Sequence, residues 1–139
     1  MSLYKFTLDQ DYIFDLSPFT LIPHNIQKPW MKIEGTKLII PAGYSWDGCS
    51  PKFKIGNKIF GTPDFGEKTK YASLVHDVLY QYAGIHFINK DSSDYIFYSI
   101  MKNNNFNGAK FYYFMVKQFG DYSWDKYYKP NISILYNEN

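Results

Sequence analysis

Hydrophobic positions in the first part of the chain form short alternating and β-branched or aromatic runs, which are typical of β-strands. Such runs occupy residues 4–8 and 12–16. Two further runs, residues 31–33 and 37–40, are joined by a short glycine-containing link at residues 34–36, as in a hairpin. The pattern therefore predicts a small antiparallel sheet at the N-terminal end.

Residues 41–67 form a long loop-like stretch that is rich in glycine and proline. A stretch of this length without regular structure is longer than an ordinary connection, and long ordered loops often carry function. We therefore expect a functional loop between the sheet and the rest of the chain.

After this loop the hydrophobic positions recur every three or four residues, which is typical of an amphipathic helix. A first helix is predicted over residues 68–83, because Gly84 stands where a helix C-terminal glycine belongs. The apolar positions that define its buried face are Tyr71, Leu74, Val75, Val78, Leu79 and Tyr82.

Two more helices are predicted downstream. The second begins at Asp91, a good N-cap residue with Asp94 three residues later as a capping acid, and runs to the asparagines at 103–105. The third starts near Asn107, and Gly120 either interrupts or ends it. Both follow the same three- and four-residue period as the first helix.

These elements define an α+β fold in a single domain over residues 1–139. We expect strands in residues 1–40, the functional loop in 41–67, and about three packed helices in 68–128. A chain of 139 residues that is 45% hydrophobic is large enough to bury one core.

The charge composition limits the partners to be expected. The chain has 15 basic and 13 acidic residues and a formal net charge of +2, which gives no general electrostatic footprint for nucleic acid or an anionic membrane. All the basic residues are lysines, which excludes an arginine finger. Neither a signal peptide nor a membrane span is expected, because the sequence has no suitable apolar run.

Three polar side chains on the predicted helices form the candidate catalytic site. His76 and Tyr80 are four residues apart and so share a helix face. If the second helix packs antiparallel against the first, Asp94 accepts a hydrogen bond from one imidazole nitrogen, and the other nitrogen serves as a base toward water. The spacing predicts His76, Asp94 and Tyr80 as catalytic residues.

A cation site is expected beside this group. Asp77 lies about 100° around the helix from His76 and can point toward a neighbouring loop. A carboxylate together with carbonyl oxygens of residues 43–50 suits a hard cation, which would polarise an ester or carbonyl substrate. The expected cation ligands are Asp77, Gly43 and Asp47, and the loop residues expected near a substrate are Tyr44, Asp47 and Ser50.

Each of these groups also has a structural interpretation. A histidine followed by an aspartate is often a hydrogen-bonded pair without catalytic use. Asp47 and Ser50 can satisfy loop amides. Cys49 is a candidate nucleophile only if it meets His76, and Ser50 lacks the G-x-S-x-G context of a nucleophile elbow. The spacing leaves these alternatives open.

Several short motifs follow one another in order. They are PAGY at residues 41–44, DGCS at 47–50, ASLVHDVLY at 72–80, Lys90 with Asp94 and Phe97, and FG at 119–120. This order resembles the phage and prophage family called domain of unknown function 1353, over roughly residues 31–124. The resemblance implies a bacteriophage or prophage source, and hence the host cytoplasm or the phage virion as location.

The predicted site is also similar to that of small calcium-dependent phospholipases, which place a glycine-rich calcium loop before a helix with H-D-x-x-Y. This similarity implies that His76 is the base, Asp77 a Ca²⁺ ligand, and Tyr80 with Asp94 the pair that orients the imidazole. It also implies a lipid or acyl substrate. The cysteines that flank the motif in the phospholipases are absent here.

Two classes of function follow. The first is a phage-encoded accessory protein that acts as a metal-dependent hydrolase on an ester or acyl substrate. The alternative is a non-catalytic protein, either a tail or baseplate component of the virion or an inhibitor of a host defence protein. The aromatic C-terminal third would then dock a phage structural or host protein.

Overall fold

The structure is a computed structural model that describes residues 6–20, 23–46, 52–55, 58–61 and 68–129. Within these residues eight strands precede four helices. The predicted α+β class is therefore confirmed.

The main sheet has four antiparallel strands in the order β2–β5–β4–β3. The predicted hairpin is present, since Glu34 lies opposite Lys37 and leaves Gly35 and Thr36 as a two-residue turn. Gly35 has φ 66°, a conformation that glycine adopts without steric cost. The strands are β2 Tyr12–Asp15, β3 His24–Lys28, β4 Met31–Gly35 and β5 Lys37–Ile40.

The expectation of a loop throughout residues 41–67 is wrong, because three strands lie within it. β6 (Ser45–Trp46) pairs with β1 (Phe6–Thr7), while β7 (Lys52–Ile55) and β8 (Lys58–Gly61) form an antiparallel hairpin. In sequence, β7 alternates lysine with Phe53 and Ile55, and the glycine–asparagine pair between the two strands is a hairpin signal. Short strands of this kind are easily hidden by surrounding glycine and proline.

The helical part contains four helices rather than about three, because Gly120 divides the third predicted helix. No helix among the described residues is long and apolar enough to cross a membrane. The helices are α1 Lys70–Gln81, α2 Lys90–Asn103, α3 Ala109–Phe119 and α4 Asp121–Tyr127.

The predicted start of α2 at Asp91 is also wrong. The N-cap is Asn89, whose side-chain oxygen accepts a hydrogen bond from the backbone N–H of Ser92 at 2.8 Å. Asp94 is not a capping acid, because its side chain is fully buried against α1. Asparagine and aspartate are equally good N-cap residues, so the sequence does not distinguish Asn89 from Asp91. The buried contacts of Asp94 place the start of the helix after Asn89.

The apolar face of the main sheet and the apolar faces of α1, α2 and α3 belong to one hydrophobic cluster. Trp124 of α4 packs in a second, smaller cluster with Tyr80 and Ala83. α1 ends at Gln81 with Tyr82 as its C-cap, two residues before the predicted end, and Gly84 has φ 84° in the turn that follows. The fully buried apolar side chains of the larger cluster include Ile33 and Ile40 from the sheet, Leu74 and Leu79 from α1, and Ile96 and Met101 from α2.

Candidate functional site

The packing of α1 against α2 brings the predicted catalytic residues together. The Nε2 atom of His76 lies 2.9 Å from Oδ1 of Asp94, and the hydroxyl of Tyr80 donates to the same oxygen at 2.6 Å. His76 and Tyr80 reach one carboxylate oxygen because they are four residues apart on α1. The expected contact between the imidazole and Asp94 is therefore present, and Tyr80 shares it.

The second oxygen of Asp94 accepts a hydrogen bond from Lys90, which is not among the site residues predicted from the sequence. Lys90 Nζ donates to Oδ2 of Asp94 at 2.8 Å and to the backbone carbonyl of Val116 at 3.0 Å. The same ammonium group lies 3.4 Å from the carbonyl of Lys117 and 3.4 Å from Oδ1 of Asp121. Lys90 thus caps the end of α3, where the carbonyl of Val116 accepts from both the ammonium group and the backbone N–H of Gly120.

These contacts form one network around Asp94, which we call the Asp94 network: His76, Tyr80, Lys90 and Asp94, with the backbone of Val116. It joins α1, α2 and α3, and the ion pair to Asp121 extends it to α4. The sequence signal for Lys90 was its place four residues before Asp94 on one helix, the spacing at which opposite charges meet.

Asp94 is ionised in this environment. Burial by itself would raise the pKa of Asp94, but the hydrogen bond and charge of His76, with the hydrogen bonds from Lys90 and Tyr80, bring it below its ordinary value. An ionised carboxylate only accepts hydrogen bonds, so all three neighbours donate to it. The proton in the His76 contact is therefore on Nε2.

Tyr80 remains a neutral phenol. Burial raises the pKa of Tyr80, and the nearby charge of Asp94 and the hydrogen bond to it raise the pKa further, far above the ordinary value of a tyrosine. Tyr80 is therefore a fixed hydrogen-bond donor to Asp94 rather than an acid that loses its proton.

The outer nitrogen of His76 is directed away from the Asp94 network. No hydrogen bond joins Nδ1 to another described residue, and 13% of the His76 side chain is exposed. The imidazole packs between the rings of Tyr80 and Phe97, with centroids at 4.1 and 4.6 Å. In the neutral imidazole Nδ1 carries the lone pair, which can accept a proton from water.

Asp77 does not belong to the Asp94 network, because its side chain is on the exposed face of α1. The strand segment 44–46 is hydrogen-bonded to α1 at residues on both sides of Asp77. Trp46 Nε1 donates to Ser73 Oγ at 3.1 Å, and the Tyr44 hydroxyl donates to Gln81 Oε1 at 3.1 Å. Since Ser73 and Gln81 are one turn before and after Asp77, this segment passes beside the turn that carries the carboxylate.

Of the other predicted loop residues, Gly43 and Tyr44 are described by the structure. Tyr44 is buried, and it packs against Trp30 with ring centroids 6.0 Å apart. Gly43 has φ 96°, and its backbone N–H donates to the carbonyl of Leu8 at 2.9 Å. Asp47 and Ser50 lie outside the described residues.

Side chains alone do not supply a metal site in the described residues, where no group of three or more His, Cys, Asp or Glu side chains could hold an ion. A cation bound at Asp77 would therefore need backbone carbonyl oxygens for most of its ligands. Oxygen ligands of this mixed kind are the ones that Ca²⁺ accepts.

The fold and the site define an α+β protein with a buried network of histidine, aspartate, tyrosine and lysine. Residues 25–116 match the family described as "Protein of unknown function (DUF1353)", and the chain belongs to this family. The matched residues include His76, Tyr80, Lys90 and Asp94. Neither a curated protein nor a solved structure gave a match.

Proposed function

We propose that the protein is a hydrolase in which His76 activates a water molecule for attack on an ester or acyl substrate. The observation that carries this proposal is the two-sided arrangement of the imidazole. Its Nε2 is fixed by the ionised, buried Asp94 at 2.9 Å, while Nδ1 has no hydrogen-bond partner among the described residues and 13% of the side chain is exposed. This is the arrangement that a general base needs.

The chemistry follows from this arrangement. A water molecule at Nδ1 loses a proton to the imidazole as its oxygen attacks the carbonyl carbon of the substrate. Asp94 stabilises the resulting imidazolium, since its carboxylate is ionised and already accepts the Nε2 proton. When the carbon–oxygen bond to the leaving group breaks, the Nδ1 proton passes to the leaving alkoxide, which returns His76 to its neutral form.

Lys90 and Tyr80 act through Asp94. Their hydrogen bonds at 2.8 and 2.6 Å hold both carboxylate oxygens, so Asp94 cannot rotate away from His76. We therefore assign them as positioning residues. Neither is placed to touch the substrate.

Asp77 would supply the carboxylate for a bound Ca²⁺, with carbonyl oxygens from the segment that includes Gly43 and Asp47. The anchoring of residues 44–46 beside Asp77 supports this part of the proposal. Such a cation would supply Lewis-acid polarisation of the substrate carbonyl. Tyr44, Asp47 and Ser50 would be the loop residues nearest to the substrate.

The test is hydrolysis of short-chain esters and of phospholipids by the purified full chain, in buffer with Ca²⁺ or with a chelator. His76→Asn should lower the rate by about 100-fold or more, because a general base contributes on the order of 10²–10⁴ to a rate. Asp77→Asn should abolish the response to Ca²⁺. Asp125→Asn, an exposed carboxylate on α4, is the matched control and should leave the rate unchanged.

Absence of hydrolysis on the whole substrate panel would contradict the proposal, and so would a His76→Asn protein with the rate of the original chain. Loss of activity in Asp125→Asn would show that the assay responds to charge rather than to the site.

A second candidate is a non-catalytic component of a phage virion. The observation in its favour is that the Asp94 network ties together four helices, which is also what a purely structural polar cluster does. Mass spectrometry of purified phage particles would then find the protein at a constant copy number. Its absence from particles would contradict this candidate.

A further inference from the structure

The near-neutral net charge conceals an uneven distribution along the helices. Residues 95–119 contain three lysines, Lys102, Lys110 and Lys117, and no aspartate or glutamate. All three lysines are exposed, one near the end of α2 and two on α3. The segment is also rich in tyrosine and phenylalanine. One part of the surface is therefore basic and aromatic at the same time.

Ring contacts join the two helices into one surface. Tyr98 of α2 and Tyr113 of α3 are stacked, with ring centroids 5.0 Å apart. Lys102 Nζ lies 5.9 Å from the Tyr98 ring, and Lys117 Nζ lies 5.4 Å from the Tyr113 ring. The two tyrosines thus form the centre of the surface, with one lysine beside each.

Helix geometry extends the surface along α3. Lys110 and Lys117 are seven residues apart and share a face, and Phe114 lies between them on the same face. Phe114 is 55% exposed and Phe111, beside it, is 56% exposed. We call this surface the basic aromatic face: Tyr98, Lys102, Lys110, Tyr113, Phe114 and Lys117, with Phe111 at its edge.

We propose that the basic aromatic face binds the surface of an anionic lipid membrane. Exposed phenylalanines can enter the boundary between headgroups and acyl chains, tyrosines suit the headgroup level, and lysines attract anionic headgroups. No acidic side chain interrupts residues 95–119, so the charge of the face complements such a membrane. This inference rests on the proposed function, because it names lipid as the substrate class of the hydrolase.

The same face is less suited to nucleic acid. Tyr98 and Tyr113 are stacked on each other, so one face of each ring is covered and cannot receive a base. The chain also has no arginine, and the most exposed aromatic side chains of the face are phenylalanines, which have no polar group for a base edge. Membrane lipid is therefore the occupant that the surface favours.

The experiment measures binding of the full chain to sedimented vesicles at low salt. The vesicles contain phosphatidylglycerol and phosphatidylcholine in equal parts, or phosphatidylcholine alone. Binding should be strong only to the first kind and should weaken as salt is added. The triple variant K102Q/K110Q/K117Q should bind about 100-fold more weakly, because each lysine near an anionic membrane contributes roughly a factor of five.

The matched control is K68Q/K126Q/K129Q, which loses the same charge at exposed lysines outside the face. It should bind within about twofold of the original chain. The variant F111S/F114S should also lose binding while keeping its thermal midpoint, since both side chains are more than half exposed.

Lack of binding to anionic vesicles, or equal loss in both lysine triples, would overturn the inference. Binding of single-stranded oligonucleotides through the same lysines, without vesicle binding, would also overturn it in favour of nucleic acid. His76→Asn should bind vesicles like the original chain. A protein that binds vesicles but hydrolyses nothing would therefore contradict the proposed function alone.

Discussion

Gly120 lies directly against the hydroxyl group of Tyr80. A Cβ atom at residue 120 would come within 2.9 Å of Tyr80 Oη and within 2.5 Å of the carbonyl oxygen of Val116. Both atoms belong to the Asp94 network, since Tyr80 donates to Asp94 and Val116 accepts from Lys90. The lack of a side chain at residue 120 therefore allows the junction of α3 and α4 to close over the network.

Gly120→Ala should consequently destabilise the protein. The new methyl group meets a backbone atom, which cannot rotate away, so the end of α3 has to shift. We expect the free energy of unfolding to fall by about 1–3 kcal/mol, as for other overpacked sites. Urea denaturation measures this change. Ser123→Ala, at an exposed position on α4, is the control and should change little, and equal stability of Gly120→Ala would refute the close contact.

Acid should weaken the fold through Asp94. The pKa of Asp94 in the folded protein is below its ordinary value of about 4, so in acid the unfolded chain binds more protons than the folded chain. The stabilisation from Asp94 is fully present above about pH 5 and is lost as the pH falls through the folded-state pKa. Asp94→Asn removes this pH-dependent stabilisation. The difference in unfolding free energy between the original chain and Asp94→Asn should therefore shrink on acidification.

Urea denaturation of both proteins over a series of acidic buffers checks this expectation. Asp15→Asn is the control, because the carboxylate of Asp15 is exposed. Its removal should lower the free energy of unfolding at neutral pH much less than Asp94→Asn does. If the unfolding free energies of the original chain and Asp94→Asn differed by the same amount in every buffer, the assignment of an ionised, stabilising Asp94 would be contradicted.

Lys90 and Asp94 should depend on each other. Removing either partner leaves a buried charge without its main counterion, which costs about 3–5 kcal/mol. Lys90→Met and Asp94→Asn should therefore each lower the free energy of unfolding strongly. The decrease in the double variant should be much smaller than the sum of the two single decreases. A double-mutant cycle of unfolding free energies measures the coupling. Additive losses would show that the 2.8 Å contact contributes no interaction energy.

The sequence was sufficient for elements with a strong local period. The hairpin of β4 and β5 follows from alternating residues around Gly35, and α1 follows from a regular apolar face, with Gly84 in the turn after it. The meeting of His76 with Asp94 could also be predicted, because two neighbouring helices in a small domain have few ways to bury a histidine and an aspartate.

Elements that depend on distant contacts could not be predicted. β3 is mostly polar, with Ile26 as its buried residue, and it forms as an edge strand only because β4 is there to pair with it. Lys90 looks like an ordinary surface lysine in sequence, and its role depends on the end of α3, 26 residues further along the chain. The choice of Asn89 over Asp91 as N-cap likewise depends on where Asp94 is buried.

Tyr80→Phe isolates a single hydrogen bond of the Asp94 network. The variant keeps the ring and loses the hydroxyl that donates to Asp94 at 2.6 Å, which should lower the free energy of unfolding by about 1.5–3 kcal/mol, as for bonds to charged groups.

The pKa of Tyr80 is raised in the folded protein, so the stabilisation from its hydroxyl is full below about pH 10 and is lost as the pH rises further. Urea denaturation at alkaline pH should therefore show a flatter decline for Tyr80→Phe than for the original chain. Tyr122→Phe, at a side chain that is 78% exposed, should follow the original chain at every pH, and an equally flat decline there would assign the effect to tyrosines in general.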